Sequence, residues 1–550
     1  MTRITLDDDN RRLCIETSFA NKEKCKALPG ARWSPAIKQW TVPASPSAAD
    51  AIAAFFPQSA AQWSADALTL LAEAETITKA SLHKESHSLP SIPQTKTEPW
   101  LHQLRAFWFA HDIPATMLAL DMGVGKTKIV IDLIVNMNWR RVLVLCPKSV
   151  IQVWPAEFEK HAAAPVGVLA PDDDKLSIRS RQIQPFLDLC AVRQQPAVVV
   201  LNYDAAWREV LSSILFAVQW DAVICDESHR IKAPGGKAAL FCSRLGDKVP
   251  RRLCLTGTPL PHSPMDAYAQ YRFLDKGIFG TSFVNFRARY AIMGGFGAKQ
   301  VVGYQNEEEF HRKFYSIAYR VKSEDVQTLP EAIDVVRPVT LSKYAYSLYK
   351  ALKEEFVVGI GDGSISAGNA LTRLLRLQQL GSGWARLDRD VETGTEGQLM
   401  QVDSGKQEAL ADILEDLHES EPVVIFCRFH HDLDAVHTVG AALGRQSLEL
   451  SGRRNELREW QSGAAPLLAV QTQSGGVGVN LVRARYCVFY SLGFSLGDYL
   501  QARKRTHRPG QTQTVTYLHL IAQKTVDVDV YKALAARQDV VDSILAQERV

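Results

Sequence analysis

The stretch that decides the fold is residues 115–135, ATMLALDMGVGKTKIVIDLIV. Its first six residues predict a buried strand, and the run TKIVIDLIV has the spacing of a helix. Between them, Gly123 and Gly125 let backbone N–H groups close around a phosphate at a helix N-terminus. Lys126 would reach the β and γ phosphates of a nucleotide, and the Thr127 hydroxyl would ligate magnesium. The context predicts a phosphate-binding loop made of Met122, Gly123, Val124, Gly125, Lys126 and Thr127.

The loop departs at one position from the common pattern G-x-x-x-x-G-K-[ST]. Leu120 stands where the first glycine is usual. The change affects side-chain contacts of the loop and leaves its backbone cradle possible. For the loop alone, a chance G-x-G-K-T string is the alternative interpretation.

An acidic pair about 100 residues downstream strengthens the first interpretation. Residues 221–225, DAVIC, predict a strand that is followed by Asp226 and Glu227. Acidic residues at the C-terminal end of such a strand face the nucleotide crevice. Asp226 would hold magnesium, and Glu227 would orient and deprotonate the attacking water. A lone D-E pair is usually a solvated turn, but after a phosphate loop it favours catalysis.

A basic segment near the C-terminus supplies the third element. Residues 501–511 read QARKRTHRPGQ and predict a helix that the Pro-Gly pair stops. On a helix, Gln501, Arg505 and Arg508 share one face. Two arginines so placed can hold a γ phosphate from across a cleft, as arginine fingers do. The alternative is a solvated basic face or a nucleic-acid patch, which is the interpretation for Arg503 and Lys504.

Alternating strand and helix patterns set the fold class. Short β-branched runs separated by helix-length segments predict parallel sheets covered by helices, in one series before residue 260 and another after Ser404. The expected divisions are a small β-containing module at 1–60, a helix and exposed linker at 61–95, a first lobe at 96–335, a helical connector at 336–403 and a second lobe at 404–550. Phe273, Phe283, Phe286 and Tyr290 have helical spacing and predict core packing rather than a wedge.

Bulk properties exclude several classes. The 550 residues carry a net charge of +3, so nucleic-acid binding would need a local cluster of basic residues. Nine cysteines without a C-x-x-C pair suggest neither a disulfide framework nor a zinc site. No secretory signal and no apolar run of about 20 residues is present, so a soluble, unexported protein is expected.

Taken in order, these motifs resemble the SWI/SNF-type helicase-related ATPases of helicase superfamily two, from about Pro99 to Ile544. The spacing Q-A-x-x-R-x-x-R-x-G-Q, filled at every fixed position, is the most specific signal. The other matching strings are Gln103 in EPWLHQLRAFWFA, Cys146-Pro147-Lys148-Ser149, Asn202-Tyr203, Leu255-Thr256-Gly257-Thr258-Pro259, Ser404-Gly405-Lys406, Ile425-Phe426 and residues 472–481, TQSGGVGVNL.

The resemblance implies two RecA-like lobes with ATP in the cleft between them. It implies that Gln103 reads adenine and that Gly478 and Gln501 belong to the nucleotide site. It assigns DNA-backbone contacts to Pro147, Lys148, Asn202, Tyr203 and Thr472, and coupling between nucleotide and DNA to Thr256. The departures from the family pattern are Leu120-Asp121, where Asp-Glu is usual, and Gln473, where a basic residue is common.

The N-terminal string PGARWSPAIKQWTVP resembles the accessory domain of the annealing-helicase branch of that family. A mini-core formed by Trp33 and Trp40 is an equal alternative. The expected function is an ATP- and Mg²⁺-dependent motor on double-stranded or branched DNA, in the cytoplasm or nucleoid of a bacterial or viral setting, with unknown protein partners. The alternatives are a strand-separating DNA or RNA helicase and an ATP-gated nucleic-acid clamp.

Overall fold

The computed structural model describes the chain outside residues 1, 8, 10, 82–88, 122, 172–174, 262, 296, 298–299, 327–329, 356, 361–362, 367–369, 389–397, 474–478, 509 and 547–550. The chain divides into two compact units, residues 1–326 with 541–550, and residues 327–540. Each unit is built on its own parallel sheet, and the first also carries a small N-terminal sheet. The predicted α/β class with two lobes and an N-terminal β module is therefore confirmed.

The N-terminal module combines five strands with three helices. The strands are β1 Thr2–Leu6, β2 Arg12–Glu16, β3 Arg32–Ser34, β4 Gln39–Pro43 and β5 Ala61–Trp63, and the helices are α1 Lys22–Ala27, α2 Pro46–Phe55 and α3 Ala65–Ala80. The sheet order is β3-β4-β2-β1-β5. Alternate residues such as Ile4, Leu13 and Val42 point to one face, where they form a core with residues of the helices. Trp33 and Trp40 are direct cross-strand partners with ring centroids 5.7 Å apart.

The first lobe contains nine strands and twelve helices in the described part of the chain. The strands are β6 Ala115–Leu120, β7 Arg141–Cys146, β8 Gly167–Leu169, β9 Ala197–Asn202, β10 Ala222–Asp226, β11 Arg251–Leu255, β12 Ala291–Gly294, β13 Gln300–Tyr304 and β14 Ala318–Val321. The helices are α4 Leu101–Asp112, α5 Lys126–Asn136, α6 Val153–His161, α7 Leu176–Val192, α8 Tyr203–Ala206, α9 Glu209–Ala217, α10 Lys237–Gly246, α11 Ala267–Leu274, α12 Lys276–Phe279, α13 Phe283–Tyr290, α14 Glu307–Tyr315 and α15 Ser323–Val326.

Seven of these strands form one sheet in the order β14-β6-β11-β10-β7-β9-β8, and each neighbouring pair is parallel. The β-branched runs before residue 260 form the strands β6, β7, β9, β10 and β11, as predicted. Strand β11 lies between β6, which leads into the phosphate loop, and β10, which ends at Asp226. The C-terminal ends of three adjacent strands therefore bring together motifs that are distant in sequence.

The aromatic insertion between β11 and β14 packs inward. Phe273, Phe286 and Tyr290 are almost fully buried, and Phe283 is half-buried. The Phe279 ring lies 5.1 Å from Phe286 and 5.3 Å from Phe310, centroid to centroid. The core-packing prediction is confirmed for the three buried residues, and Phe283 also packs on other rings, 5.3 Å from Tyr268.

The N-terminal module packs directly on the first lobe, although the sequence suggested a tether. A Cβ atom on Gly277 of α12 would lie 2.2 Å from Ser45 Oγ, and one on Gly280 would lie 2.9 Å from the Gly30 backbone nitrogen. Of the expected exposed linker, residues 82–88 lie outside the described residues. The linker residues after 88 are fixed to the first lobe by two hydrogen bonds. Gln94 N donates to Asn136 Oδ1 at 2.9 Å, and Lys96 Nζ donates to the Glu159 backbone oxygen at 2.6 Å.

The second unit is a second parallel sheet with short antiparallel ribbons. Its strands are β15 Ala332–Val339, β16 Val357–Ile360, β17 Gly363–Ser366, β18 Trp384–Arg386, β19 Leu399–Gln401, β20 Val423–Cys427, β21 Ser447–Leu450, β22 Leu467–Gln471, β23 Tyr486–Phe489 and β24 Val515–Ala522. The helices are α16 Lys343–Glu355, α17 Ala370–Gly381, α18 Gly405–Glu415, α19 His430–Ala442, α20 Leu457–Gln461, α21 Leu496–Thr506 and α22 Val526–Ala546, of which residues 541–546 are assigned to the first unit.

The main sheet of this unit has the order β15-β24-β23-β20-β22-β21, with every neighbouring pair parallel. Strand β15 spans residue 335, where the first lobe was expected to end. All nine cysteines of the chain are buried, and none of them forms a disulfide. Within the described residues, no helix combines the length and the apolar character needed to cross a membrane.

Candidate active site

The phosphate loop joins β6 to α5. Gly123 and Gly125 have positive φ angles of 86° and 89°, a conformation that residues with a Cβ rarely adopt. Lys126 begins the helix. Its Nζ donates to the backbone oxygen of Leu120 at 2.8 Å and to the backbone oxygen of Asp121 at 3.1 Å. Met122, predicted as part of the loop, lies outside the described residues. The lysine is thus held at the mouth of its own loop.

Two side chains from α4 hold the loop from behind. His102 Nε2 donates to the Val124 oxygen at 2.8 Å, and Gln103 Nε2 donates to the same oxygen at 3.1 Å. Gln103 Oε1 accepts from Trp100 N at 3.1 Å. Burial lowers the pKa of His102, so the neutral ring donates its Nε2 proton. Sequence reasoning selected Gln103 and missed His102, because a histidine on a helix carries no signal until its partner is known.

The acidic pair lies at the C-terminal end of β10. One strand, β11, separates β10 from β6, the strand that leads into the phosphate loop. Burial raises the pKa of Asp226 to about 7, the charge of Glu227 adds to the rise, and the charge of Lys126 opposes it. Tyr203 Oη donates to the Asp226 backbone oxygen at 2.8 Å, and Glu227 N donates to Asp226 Oδ1 at 3.0 Å. The fold therefore places the predicted carboxylate within electrostatic range of the predicted lysine.

Glu227 connects this edge to the segment after β11. It has a positive φ of 50° and is almost fully buried. His229 Nδ1 lies 3.4 Å from Glu227 Oε2 and 3.4 Å from Thr256 Oγ1, which also accepts from Thr258 N at 3.0 Å. The His229 side chain therefore connects Thr256, which was predicted to couple the nucleotide site to DNA, with Glu227, the predicted base. His229 is the link that sequence reasoning did not single out.

The donors near the loop suit magnesium. Thr127 is the second residue of α5, and Asp226 presents a half-buried carboxylate at the same sheet edge. Magnesium is commonly held by one or two carboxylates together with phosphate oxygens and water. A cation here would also offset the burial of the Asp226 charge. The two residues fit the ion.

The predicted DNA-contact residues of this unit have different surroundings. Lys148 is exposed, whereas Pro147 is buried. Asn202 Oδ1 accepts from Arg179 Nη1 at 2.9 Å, and the Tyr203 hydroxyl is used by the Asp226 backbone. Among these four residues, Lys148 alone directs an exposed charged side chain outward.

In the second unit, Thr472 follows β22. Its N and Oγ1 donate to the Cys427 oxygen at 2.9 and 3.2 Å. It lines a cavity of about 190 Å³ together with Arg428, Gln473 and Phe494. Gly478, predicted for the nucleotide site, lies outside the described residues.

The basic segment differs from its prediction at one end. Gln501 and Arg505 lie in α21 and are buried, but the helix ends at Thr506, so Arg508 is not on its face. His507 leaves the helical conformation with ψ of 85°, before the Pro-Gly stop. Arg508 Nη1 lies 3.5 Å from the Val479 oxygen, and burial lowers the pKa of the guanidinium.

The structure also corrects the prediction that Arg503 is a solvated or nucleic-acid-binding residue. Its Nη1 and Nη2 donate to both oxygens of Asp334 at 2.6 and 2.9 Å, and its guanidinium lies 4.3 Å from the Tyr517 ring centroid. A bidentate ion pair on an aromatic ring is a structural role. The sequence could not show this, because Asp334 is distant in the chain.

Comparisons with known proteins agree with this architecture. A family model described as the SNF2-related domain matches residues 58–382, and one described as the helicase conserved C-terminal domain matches residues 405–510. The chain is 26% identical over 449 residues to the chromodomain-helicase-DNA-binding protein 1-like of Mus musculus, covering 78% of this chain and 47% of that protein. It is 26% identical over 469 residues to protein p41 of Acyrthosiphon pisum secondary endosymbiont phage 1, covering 79% of this chain and 95% of the phage protein.

Another relative is the DNA repair and recombination protein RDH54 of Saccharomyces cerevisiae, 24% identical over 475 residues, which cover 76% of this chain and 50% of the yeast protein. The chain spans about half the length of the mouse and yeast relatives. A similar solved structure is the Sulfolobus solfataricus SWI2/SNF2 ATPase core in complex with dsDNA, at 22% identity and a TM-score of 0.40, covering 84% of this chain and 96% of that one.

Proposed function

Because this chain belongs to the SNF2-related domain family, we propose that it hydrolyses ATP with Mg²⁺ and uses the energy to move along double-stranded DNA. The family membership confirms the resemblance predicted from the motifs. The observation that carries the proposal is the convergence of the phosphate loop, Asp226-Glu227 and Thr256 at the ends of three adjacent strands. A protein that only bound ATP would not need Glu227 beside that loop.

In the proposed reaction, the loop from Gly123 to Thr127 binds the phosphates through its backbone N–H groups. Lys126 exchanges its two backbone carbonyl partners for phosphate oxygens. Thr127 and Asp226 would hold Mg²⁺, which neutralises charge on the phosphates when bound. Glu227 orients the attacking water and takes its proton, and His229 with Thr256 positions that carboxylate.

The remaining nucleotide-site residues keep their roles as proposals. Arg505 and Arg508 would stabilise charge that develops on the γ phosphate, as finger arginines do. Gln103 would read adenine with the hydrogen-bonding capacity that its bonds to Val124 and Trp100 leave over. Met122, Gly478 and Gln501 complete the proposed set.

DNA would be held through its phosphates, with little base readout. Lys148 is the best placed of the proposed contacts, since its side chain is exposed. Pro147, Asn202, Tyr203 and Thr472 would act through backbone groups or through the lone pairs and protons that their internal bonds leave over. Branched DNA as a preferred substrate, a bacterial or viral setting and a cytoplasmic or nucleoid location belong to this proposal; the phage relative supports the setting.

The decisive experiment compares ATP hydrolysis by the purified chain without nucleic acid and with single-stranded DNA, duplex, forked DNA and RNA. Duplex and fork should stimulate turnover most. Movement on an intact duplex should displace the third strand of a triplex, with little unwinding of a tailed duplex. Release of a strand from the tailed duplex without triplex displacement would replace this proposal with a strand-separating helicase.

A further inference from the structure

A fully buried amide lies behind the acidic pair of the first unit. Gln270 belongs to α11, and Ser228 begins the short 3₁₀ helix Ser228–Ile231 that directly follows Glu227. Neither side chain is exposed to solvent. Ser228 Oγ donates to Gln270 Oε1 at 2.7 Å, across 42 positions of the chain. The residue next to the predicted base is therefore bonded to a helix that lies far from it in sequence.

The other end of the same amide reaches the segment that follows β11. Gln270 Nε2 donates to the backbone oxygen of Pro259 at 2.7 Å and to the backbone oxygen of Asp266 at 2.9 Å. Pro259 lies three residues after Thr256, the residue proposed to couple the nucleotide site to DNA. Both amide protons and the carbonyl oxygen of Gln270 are thus used. A buried polar group satisfied in this way is held in one orientation.

His229 also joins the acidic pair to this segment, but by longer contacts. Its Nδ1 lies 3.4 Å from Glu227 Oε2 and 3.4 Å from Thr256 Oγ1, which is long for a hydrogen bond. The connection through Gln270 has bonds of 2.7 Å on both sides, between groups that water does not reach. Leaving such a group unpaired costs more free energy than losing a long contact. The buried amide is therefore the stiffer of these connections.

We propose that Gln270 is a positioning residue that holds the turn after Glu227 at a fixed distance from the segment after β11, and that it transmits DNA binding to ATP hydrolysis. A displacement of Pro259 on DNA binding is passed through the amide to Ser228 and the adjoining Glu227. Because the position of a base relative to the attacking water sets the rate, a small displacement changes turnover. The inference rests on the proposed function and adds the physical link through which DNA regulates the proposed site.

The test uses the full chain and two variants that break the link at different points. Gln270→Met keeps the length of the side chain and removes its polar end, and Ser228→Ala removes only the hydroxyl. Ser180→Ala is the matched control, because Ser180 is also a buried serine of the first unit, and its Oγ donates to the Ser177 backbone oxygen at 3.0 Å. ATP turnover is measured without DNA and at saturating duplex DNA.

Turnover at saturating duplex should fall about tenfold in both variants, which is the size of effect expected when one buried hydrogen bond no longer positions the base. Turnover without DNA and KM for ATP should change much less, so the ratio of stimulated to basal turnover should fall. Ser180→Ala should keep the wild-type ratio. The double variant should be no slower than Gln270→Met, because both changes remove the same connection.

A purely structural role for the amide predicts a different result. Loss of packing alone would lower the melting temperature and leave the ratio of stimulated to basal turnover unchanged in the folded protein. Gln270→Met or Ser228→Ala that folds and keeps the wild-type ratio would therefore overturn the proposal. Ser228→Ala removes a single atom from the core, so it keeps the test decisive even if Gln270→Met does not fold.

Hydrogen exchange measured by mass spectrometry provides a second arm that needs no hydrolysis. Duplex DNA should change the exchange of backbone amides at 227–231 in the wild type and leave it unchanged in Gln270→Met. No response in the wild type, or an equal response in both proteins, would overturn the proposal. A wild type that binds duplex but hydrolyses no ATP would reject the proposed function and leave this arm readable.

Discussion

Lys126 in the first unit and Lys406 in the second both follow a glycine at the start of a helix, yet their amines have different partners. Lys126 donates to two backbone carbonyls of its own loop. Lys406 is 2% exposed and donates to Asp527 Oδ2 at 2.7 Å and to the Tyr490 oxygen at 2.9 Å. A lysine held by carbonyls keeps its charge for a phosphate, whereas one paired with a buried carboxylate stabilises the core.

The largest expected effect tests the first half of this comparison. Lys126→Ala should reduce ATP turnover to background with a nearly unchanged melting temperature, because the loop lysine contributes charge to phosphates rather than packing. Glu227→Gln should still bind a fluorescent ATP analogue without cleaving ATP. Near-normal hydrolysis by either purified variant would remove this loop and acidic pair from the catalytic site.

The next largest effect tests whether the second unit contributes to catalysis, although its Lys406 pairs with a buried carboxylate. Arg508→Ala should lower kcat by roughly 10³ to 10⁵, the range for finger arginines, with much less effect on ATP affinity. Turnover at saturating duplex DNA gives the answer. Weaker DNA binding with unchanged maximal turnover would assign Arg508 to the DNA contacts instead.

Lys406→Ala tests the second half of the comparison. Removing one partner of a buried ion pair leaves Asp527 uncompensated and should lower the free energy of unfolding by about 3–5 kcal/mol. Urea denaturation followed by circular dichroism measures the loss. The pair Lys406→Met with Asp527→Leu should recover most of it, and a single variant as stable as the wild type would show that the bond contributes nothing.

Carboxylates extend the contrast, because Asp432 is fully buried in the second unit and does not belong to the proposed ATP-site residues. Burial raises its pKa to about 6, although Ser491 Oγ donates to it at 2.5 Å. Since the folded state holds the proton more tightly than the unfolded state, the stability that this proton confers is lost as pH rises through about 6. Asp432→Asn should match the wild type near pH 4 and exceed it by roughly 2–3 kcal/mol at pH 8.

The free energy of unfolding of Asp432→Asn and of the wild type, measured near pH 4 and at pH 8, tests this prediction. Equal stability at pH 8 would show that the charged carboxylate is better compensated than its burial implies.

The smallest effect concerns the support behind Lys126. His102→Phe removes one of two donors to the Val124 oxygen and should raise KM for ATP several-fold with a smaller change in kcat. His102→Gln, which keeps a donor, should restore part of the difference. If the two variants have the same KM, His102 acts through packing alone.

The central strands of both lobes and the phosphate loop were predictable because their signals are local, whereas the sheet strands β8, β14, β15 and β21 were not predicted. Apolar runs, the glycines of the loop and the acidic pair after DAVIC lie within short windows of sequence. The family resemblance added the order of the motifs. The docked module, the fixed linker and the early end of α21 were not predictable, because each depends on contacts between distant residues.

The sequence by itself determined the two α/β lobes, the family and the residue types of the nucleotide site. The tertiary structure decided which charges serve a site and which serve the core. In the sequence, Arg503 lies in a basic segment and Lys406 in a family motif. In the fold, Arg503 pairs with Asp334 and Lys406 pairs with Asp527. His102, which carried no signal, holds the phosphate loop. The physical reason is that the role of a charged group depends on its nearest partner and on its burial, and both are set only when distant segments pack together.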